Sequence, residues 1–363
     1  MHSKTITARA PTRIDLCGGT LDIWPLYLFL KNPLTLNLAI DLIAEAKLEF
    51  LTGTSGRGNV RLESIDQKKI FETSWDSLAL TEGLLEAPPE LTLHIKLLRH
   101  FAFESKYARA ELRQGNLILS TLAKSPAGAG LGGSSALSVA LVGALATWAL
   151  GPTDFKLQGE RFIEIVRDVE TTVIQVPAGL QDYYAAMYGG LQGLHWGAGA
   201  HRREELPTPL AACVADRLLL FYSGQSRNSG INNWVLFKNL IDRQAGLPDR
   251  FQKIADATQR LKKSILDQDW TGAASAIADE WKSRRTLAAG ISTPAMDQAV
   301  ALCGKQGIES YKICGAGGGG CFFVFVPDAN AEIKRSLQTE IGALGITPLP
   351  FHQSSDGLKV TWQ

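Results

Sequence analysis

"SPAGAGLGGSSALSVALVGAL", from Ser125 to Leu145, is the stretch on which the reading of this chain turns. Gly128, Gly130, Gly132 and Gly133 are spaced through it, Ser134 and Ser135 follow, and an apolar run begins at Ala136. Glycines let the backbone approach a ligand closely and take positive φ. Successive N–H groups in such a loop converge on an anion, and a helix starting just downstream adds the positive end of its dipole. A phosphate cradle is therefore one reading. A tight loop with a serine N-cap ahead of a buried helix is another. Gly128, Gly130 and Gly133 also spell G-x-G-x-x-G, but a dinucleotide fingerprint belongs in a first βα unit, with an acidic residue about 20 positions on. The acidic residue at that distance is Asp154, in "GPTDF", which reads as the start of a helix. The dinucleotide reading is disfavoured, and the P-loop pattern G-x-x-x-x-G-K-[ST] is absent.

Outward from this stretch, "NLILSTL" reads as a strand feeding it, and Ala136–Leu150 as a helix closed by Gly151-Pro152. "KTITARAPTRIDLCGG" is a strand broken at Gly18-Gly19, and "LTLNLAIDLIAEAKLEFL" is more strand. "HIKLLRHFAFES" has helical spacing, and Phe162, Val166, Val169 and Val173 share one face of a later helix. "LPTPLAACVADRLLLFYSG" reads as a loop and then a strand. Helices occupy roughly 230 to 288, and Thr293 caps another with Pro294 at its first position. "YKICGAGGGGCFFVFVP" is strand, glycine loop, strand, and "GLKVTWQ" a last strand. Strands and helices mix without a regular βαβ rhythm, which predicts two α+β domains, 1–205 and 206–363.

The totals exclude little but point one way. The chain has 363 residues, 45% of them apolar, and a net charge of +1, so nothing suggests nucleic acid or an acidic membrane surface as partner. Five cysteines without a C-x-x-C pair fit a reducing cytoplasm better than disulfides or zinc. The most apolar window, Ala136–Gly151, is shorter than the ~20 residues of a bilayer span and reads as a core helix.

Three further stretches stand out. Gly315-Ala316-Gly317-Gly318-Gly319-Gly320 excludes side chains beyond what a hairpin turn needs. "APTRIDLCGGTLDIWP" sets Arg13, Asp15 and Asp22 among apolar residues, where an Arg–Asp pair is the simple structural expectation. In "GLQDYYAAMYGG", Asp182 alone reads as a helix cap.

Together the four stretches resemble the motifs of the GHMP small-molecule kinases, in family order and across nearly the whole chain. "RIDLCGGTLDIWP" and "GLQDYYAAMYGG" are most similar to the D-glycero-D-manno-heptose 7-phosphate kinases and the fucokinase-type sugar kinases. The Gly-Glu-His element of galactokinases is replaced by Cys17-Gly18-Gly19, which disfavours galactose. The resemblance implies a ribosomal-protein-like N-terminal α/β domain and a ferredoxin-like C-terminal α+β domain with the substrate between them. It implies ATP-dependent phosphorylation of a sugar hydroxyl, with ATP and Mg2+ bound and a small-molecule sugar or sugar phosphate as partner. It leaves a homodimer open.

By the same resemblance, Pro126, Gly128, Ala129, Gly130, Leu131, Gly132, Gly133, Ser134 and Ser135 hold the ATP phosphates, with Gly317 and Gly318 packed against them. Asp182 takes the proton of the attacking hydroxyl, and Arg13 lies beside it. Asp22, Gly18, Gly19 and Gln181 face the sugar, and Arg227 and Lys312 (with Arg284 and Arg285 as further candidates) hold a phosphate already on it. Glu170 and Ser134 hold the metal, with Ser135 the alternative because Gly133 stands where many members carry a hydroxyl. The competing readings are a free-sugar kinase and a catalytically silent sensor on the same fold.

Overall fold

The structure is a computed structural model that describes residues 3–52, 58–80, 85–152, 155–225, 233–315 and 317–363. The first strand, β1 (Ser3–Cys17), runs antiparallel to the long β2 (Leu34–Thr52), as their apolar patterns predict. β3 (Asn59–Ser64) and β4 (Lys69–Ser74) form a hairpin, and β3 pairs in parallel with β5 (Gly115–Ala123), which pairs antiparallel with β2. β6 (Leu191–His195) adds to the first half of β2, and β7 (Arg202–Glu205) to β6.

Helices α1 (Trp75–Ala79), α2 (Thr92–Arg99), α3 (Gly133–Leu150), α4 (Phe155–Ile174) and α5 (Gln181–Tyr188) accompany this sheet. α3 is apolar all round because it is enclosed all round, lying on β1 and β2 with α4 and α5 on its other sides. Among the described residues it is the one helix long and apolar enough to span a membrane, yet most of it is buried inside the fold. α4 turns Phe162 and Val166 into that core.

The chain then crosses into a second layer: α6 (Thr208–Asp216), β8 (Leu218–Tyr222), α7 (Asn233–Ile241), α8 (Leu247–Leu266), α9 (Trp270–Arg284), α10 (Pro294–Lys305), β9 (Tyr311–Ile313), β10 (Cys321–Phe325), α11 (Ala331–Gly342) and β11 (Thr347–Pro348). The sheet order is β11-β8-β10-β9, all antiparallel. In chain order that is 4-1-3-2, a ferredoxin-like sheet, as expected. Thr293 caps α10 by accepting from the Met296 N–H. The loop expected at 206–217 is instead helix α6. Its prolines fall at the cap and first turn, where no backbone N–H is missed, and Ala211 and Val214 bury one face.

The last strand, β12 (Lys359–Trp362), returns to pair with β1. Gly189 and Gly357 permit that return, since a Cβ on either would strike the other segment's backbone within 2.3 Å.

Candidate active site

A cleft of about 500 Å³ opens where α3, the end of β1, the start of α5 and the β9–β10 connection meet. The glycine loop ahead of α3 lines one side of it, from Ser125 to Ser135 with Leu131 excepted. Gly128, Gly130 and Gly132 all take left-handed φ. At Gly130 and Gly132 the reason is also proximity. A Cβ would meet the Cys314 carbonyl at 2.4 Å and the Asp182 carboxylate at 3.1 Å. Leu131 faces away into the core. Gly132 is the N-cap and supplies no side-chain oxygen, so the first N–H groups of α3 have no intrahelical acceptor. Neither serine caps the helix. Ser134 instead donates to Glu170 Oε1 at 2.7 Å, and Ser138 to Glu170 Oε2 at 3.2 Å. Burial pushes the Glu170 carboxyl above its usual range, and these hydroxyls pull it back.

The second glycine loop packs on the first: the Cys321 N–H donates to the Ala129 carbonyl at 2.7 Å, and a Cβ on Gly320 would meet the same carbonyl at 2.7 Å. Gly315 lines the cleft. Gly317 and Gly318 do not; they sit against Ile291, whose carbonyl accepts from the Gly318 N–H at 2.9 Å. Gly317 and Gly318, expected to bind the ATP phosphates, thus lie outside the cleft lining.

At the floor of the cleft, Arg13 donates through Nε to Asp182 Oδ1 at 2.7 Å, and Nη2 lies 2.6 Å from the same oxygen. Its Nη1 donates to the Gly130 carbonyl at 2.7 Å. Burial works against the guanidinium charge, but Asp182, Asp15 and Cys314 outweigh it and hold its pKa above the ordinary arginine value. Asp182 lies in the first turn of α5, with Leu180 as the cap. Its expected partner position beside Arg13 is thus observed, and the cap reading is not. Asp22 is buried next to it and accepts from the Gln181 N–H at 3.0 Å. Gly179 allows this, since a Cβ there would lie 2.3 Å from Asp22 Oδ2. Burial, then the Asp182 charge, raise the Asp22 carboxyl to about 6. Gln181 Oε1 has no hydrogen-bond partner among the described residues.

Lys312 is not in the cleft. Its ammonium is sealed from solvent, 2.7 Å from Asp15 Oδ2 and 3.7 Å from Glu280 Oε1, and it donates to the Asp15 carbonyl at 2.9 Å. Arg284 donates to Glu280 at 2.7 Å, to the Gly19 carbonyl at 2.6 Å and to Thr20 Oγ1 at 3.0 Å. Both cations expected to hold a substrate phosphate are consumed by buried carboxylates. What they hold is the turn 18–20 itself. Burial opposes the ionised form of Asp15, but Lys312, Arg284 and Arg13 prevail and hold its carboxyl below the usual range. Gly18 packs under the Leu34 carbonyl, and Gly19 leaves room for the Asp15 carboxylate; neither lines the cleft. Arg227 lies outside the described residues.

Sequence reasoning missed four contributors. Ser138 lies one turn after Ser134, a spacing that puts both hydroxyls on one face. Glu280 lies one turn before Arg284, the spacing of a helical ion pair. The other two, Leu93 and His94 of α2, line the cleft, as do the apolar Ala123, Leu137 and Val173. Their sequence signal is only that of a core helix.

This is the geometry of a phosphoryl-transfer enzyme: an anion cradle at a helix N-terminus, a buried carboxylate–hydroxyl cluster beside it, and a carboxylate held by arginine within reach of both. Residues 94–190 match the GHMP kinases N terminal domain and residues 261–342 the GHMP kinases C terminal domain, and the chain belongs to this family, as an ATP-dependent phosphotransferase. It is 24% identical over 352 residues to D-glycero-alpha-D-manno-heptose 7-phosphate kinase of Campylobacter jejuni, across 93% of this chain and 95% of that one. It is 26% identical to mevalonate kinase of Pyrococcus abyssi, across 98% of each. Among solved structures it is similar to a D-glycero-D-manno-heptose 1-phosphate kinase from Bacteroides thetaiotaomicron, with TM-score 0.72, 18% identity and 98% of each chain covered.

Proposed function

We propose that this kinase phosphorylates a sugar hydroxyl, and that the acceptor is a heptose 7-phosphate attacked through its anomeric hydroxyl. The observation that carries the sugar reading is the set Asp22, Gln181 and Asp182 at the cleft floor, a cluster of acceptors suited to hydroxyl donors. The similarity to the Campylobacter jejuni enzyme supports the heptose.

Asp182 orients the attacking hydroxyl and accepts its proton, and Arg13 shares the charge that develops. The loop from Pro126 to Ser135 binds the ATP phosphates through its N–H groups. The apolar lining at Leu93 and Val173 receives the base. Glu170 and Ser134 offer hard oxygen donors that fit Mg2+, which neutralises phosphate charge when bound. We take 1–205 and 206–363 as the two working lobes, in a cytoplasmic protein.

One observation favours a second reading, a kinase for an unphosphorylated sugar such as L-fucose. Among the described residues Arg13 is the one lysine or arginine lining the cleft, and Asp182 occupies it. ADP release measured across heptose 7-phosphate, free heptose, fucose and mevalonate separates the readings. Turnover of heptose 7-phosphate well above the others is expected; a preference for fucose reverses the order, and mevalonate turnover ends the sugar reading.

A further inference from the structure

Gly133 is the first residue of α3 and has no left-handed φ that would demand glycine. What a side chain there would meet is Ser125: an added Cβ would lie 2.5 Å from its Oγ, which would have to turn aside. The glycine and the serine are therefore a matched pair, with the hydroxyl of residue 125 standing where the side chain of residue 133 would start. Ser125 is largely buried, lines the cleft, and has no hydrogen-bond partner among the described residues. Its Oγ is open to the cleft rather than sealed from it. It stands beside the first residue of a helix whose first N–H groups have no intrahelical acceptor.

We propose that Ser125 is a phosphate ligand: its hydroxyl donates to an oxygen of the nucleotide's phosphates at the N-terminus of α3. Resting on the reading of Pro126–Ser135 as the phosphate loop, the inference adds a ligand from the end of the preceding strand. The loop thereby presents one hydroxyl from strand β5's exit and one from Ser134. They serve different ends, since Ser134 is already engaged with Glu170.

The test moves the hydroxyl. Calorimetric titration with ATP and magnesium, and separately with adenosine, is run on the native protein, Ser125→Ala, Gly133→Ser and the double variant. Ser125→Ala is expected to weaken ATP binding about tenfold, the loss of one hydrogen bond to a charged group, with adenosine binding unchanged. Gly133→Ser alone is expected to weaken ATP as well, because two side chains crowd one space. The double variant is expected to bind within about threefold of native, because removing the Ser125 hydroxyl opens room for a serine at 133. Native ATP affinity in Ser125→Ala overturns the proposal, as does a double variant no tighter than Ser125→Ala. Failure of the native protein to bind ATP instead breaks the reading of the loop. Equal weakening of ATP and adenosine assigns Ser125 a structural part and also overturns the proposal.

Discussion

Two acid–base clusters meet around the turn 18–22, and they differ in one respect. In the first, Arg13 is buried but its partner Asp182 keeps 22% of its side chain exposed, toward the cleft. In the second, Lys312, Asp15 and Glu280 are all at 0% and Arg284 at 3%. Both are built from charges the sequence places in motif-like segments. A carboxylate with one face left open can take a proton from a ligand. A carboxylate closed on every side by cations can only hold its neighbours. The sealed cluster joins β1, α9 and β9, and so fixes the turn 18–20 to the second sheet. The open pair then works at the end of a frame the sealed one keeps rigid.

The comparison breaks most visibly at Asp182. Asp182→Asn keeps the shape and removes the base, so turnover is expected to fall by about 10³-fold or more. ATP affinity stays native, while the melting temperature falls somewhat because the buried Arg13 keeps only a neutral partner. Unchanged turnover takes Asp182 out of the chemistry and makes the two clusters alike. Next is Lys312→Met, which leaves Asp15 and Glu280 buried without their ammonium. A loss of about 3–5 kcal/mol in urea unfolding is expected. Adding Asp15→Asn should recover part of it. Full stability with weak acceptor binding would return Lys312 to the substrate. A smaller effect is expected from Arg284→Lys, which keeps the charge but cannot reach Glu280, Gly19 and Thr20 together. The acceptor KM should rise about tenfold while the ATP KM holds; equal changes in both would show that the turn 18–20 does not serve the acceptor alone.

Much of this frame was legible. The cap at Thr293, the strand–glycine–strand at 311–325 and the helix after Ser135 are local signals, and local chemistry decides them. Ion-pair partners are not local. From the residues alone, an Arg–Asp pair among Arg13, Asp15 and Asp22 was the simple expectation, and only the family resemblance put Arg13 beside Asp182. Arg13 instead meets a residue 169 positions away, and Asp15 one 297 positions away. Lys312 looked like a phosphate ligand because it precedes a glycine loop. Strand alternation turned it inward, to carboxylates that no spacing in the sequence associates with it. The Ser125–Gly133 match is of the same kind: both lie in the quoted stretch, but only the loop's path makes them share one space.

The smallest expected effect lies at Asp22, between the two clusters. Among the described residues it has no cation partner, and burial with the Asp182 charge raises its carboxyl to about 6. An ionised Asp22 accepts from sugar hydroxyls at both oxygens, whereas a protonated one loses part of that capacity. Acceptor kcat/KM should therefore fall as pH drops through 6, by about fourfold at pH 5.5 from the ionised fraction alone. The stability sign runs the other way. The folded carboxyl holds its proton more tightly than the unfolded one, so the cost of burying the charge is full above about pH 6. It lifts as pH falls toward the ordinary carboxylate value. Asp22→Asn is thus expected to raise the urea midpoint at pH 8 but not at pH 4, while weakening acceptor binding at every pH. In Asp182→Asn, which cannot turn over, acceptor binding followed by calorimetry should lose its acid limb at a lower pH. Removing the neighbouring charge leaves burial, with a smaller push from Asp15, to hold the Asp22 proton. An acid limb that stays in place would mean that Asp182 does not act on Asp22, and that the open pair and the acceptor carboxylate work independently.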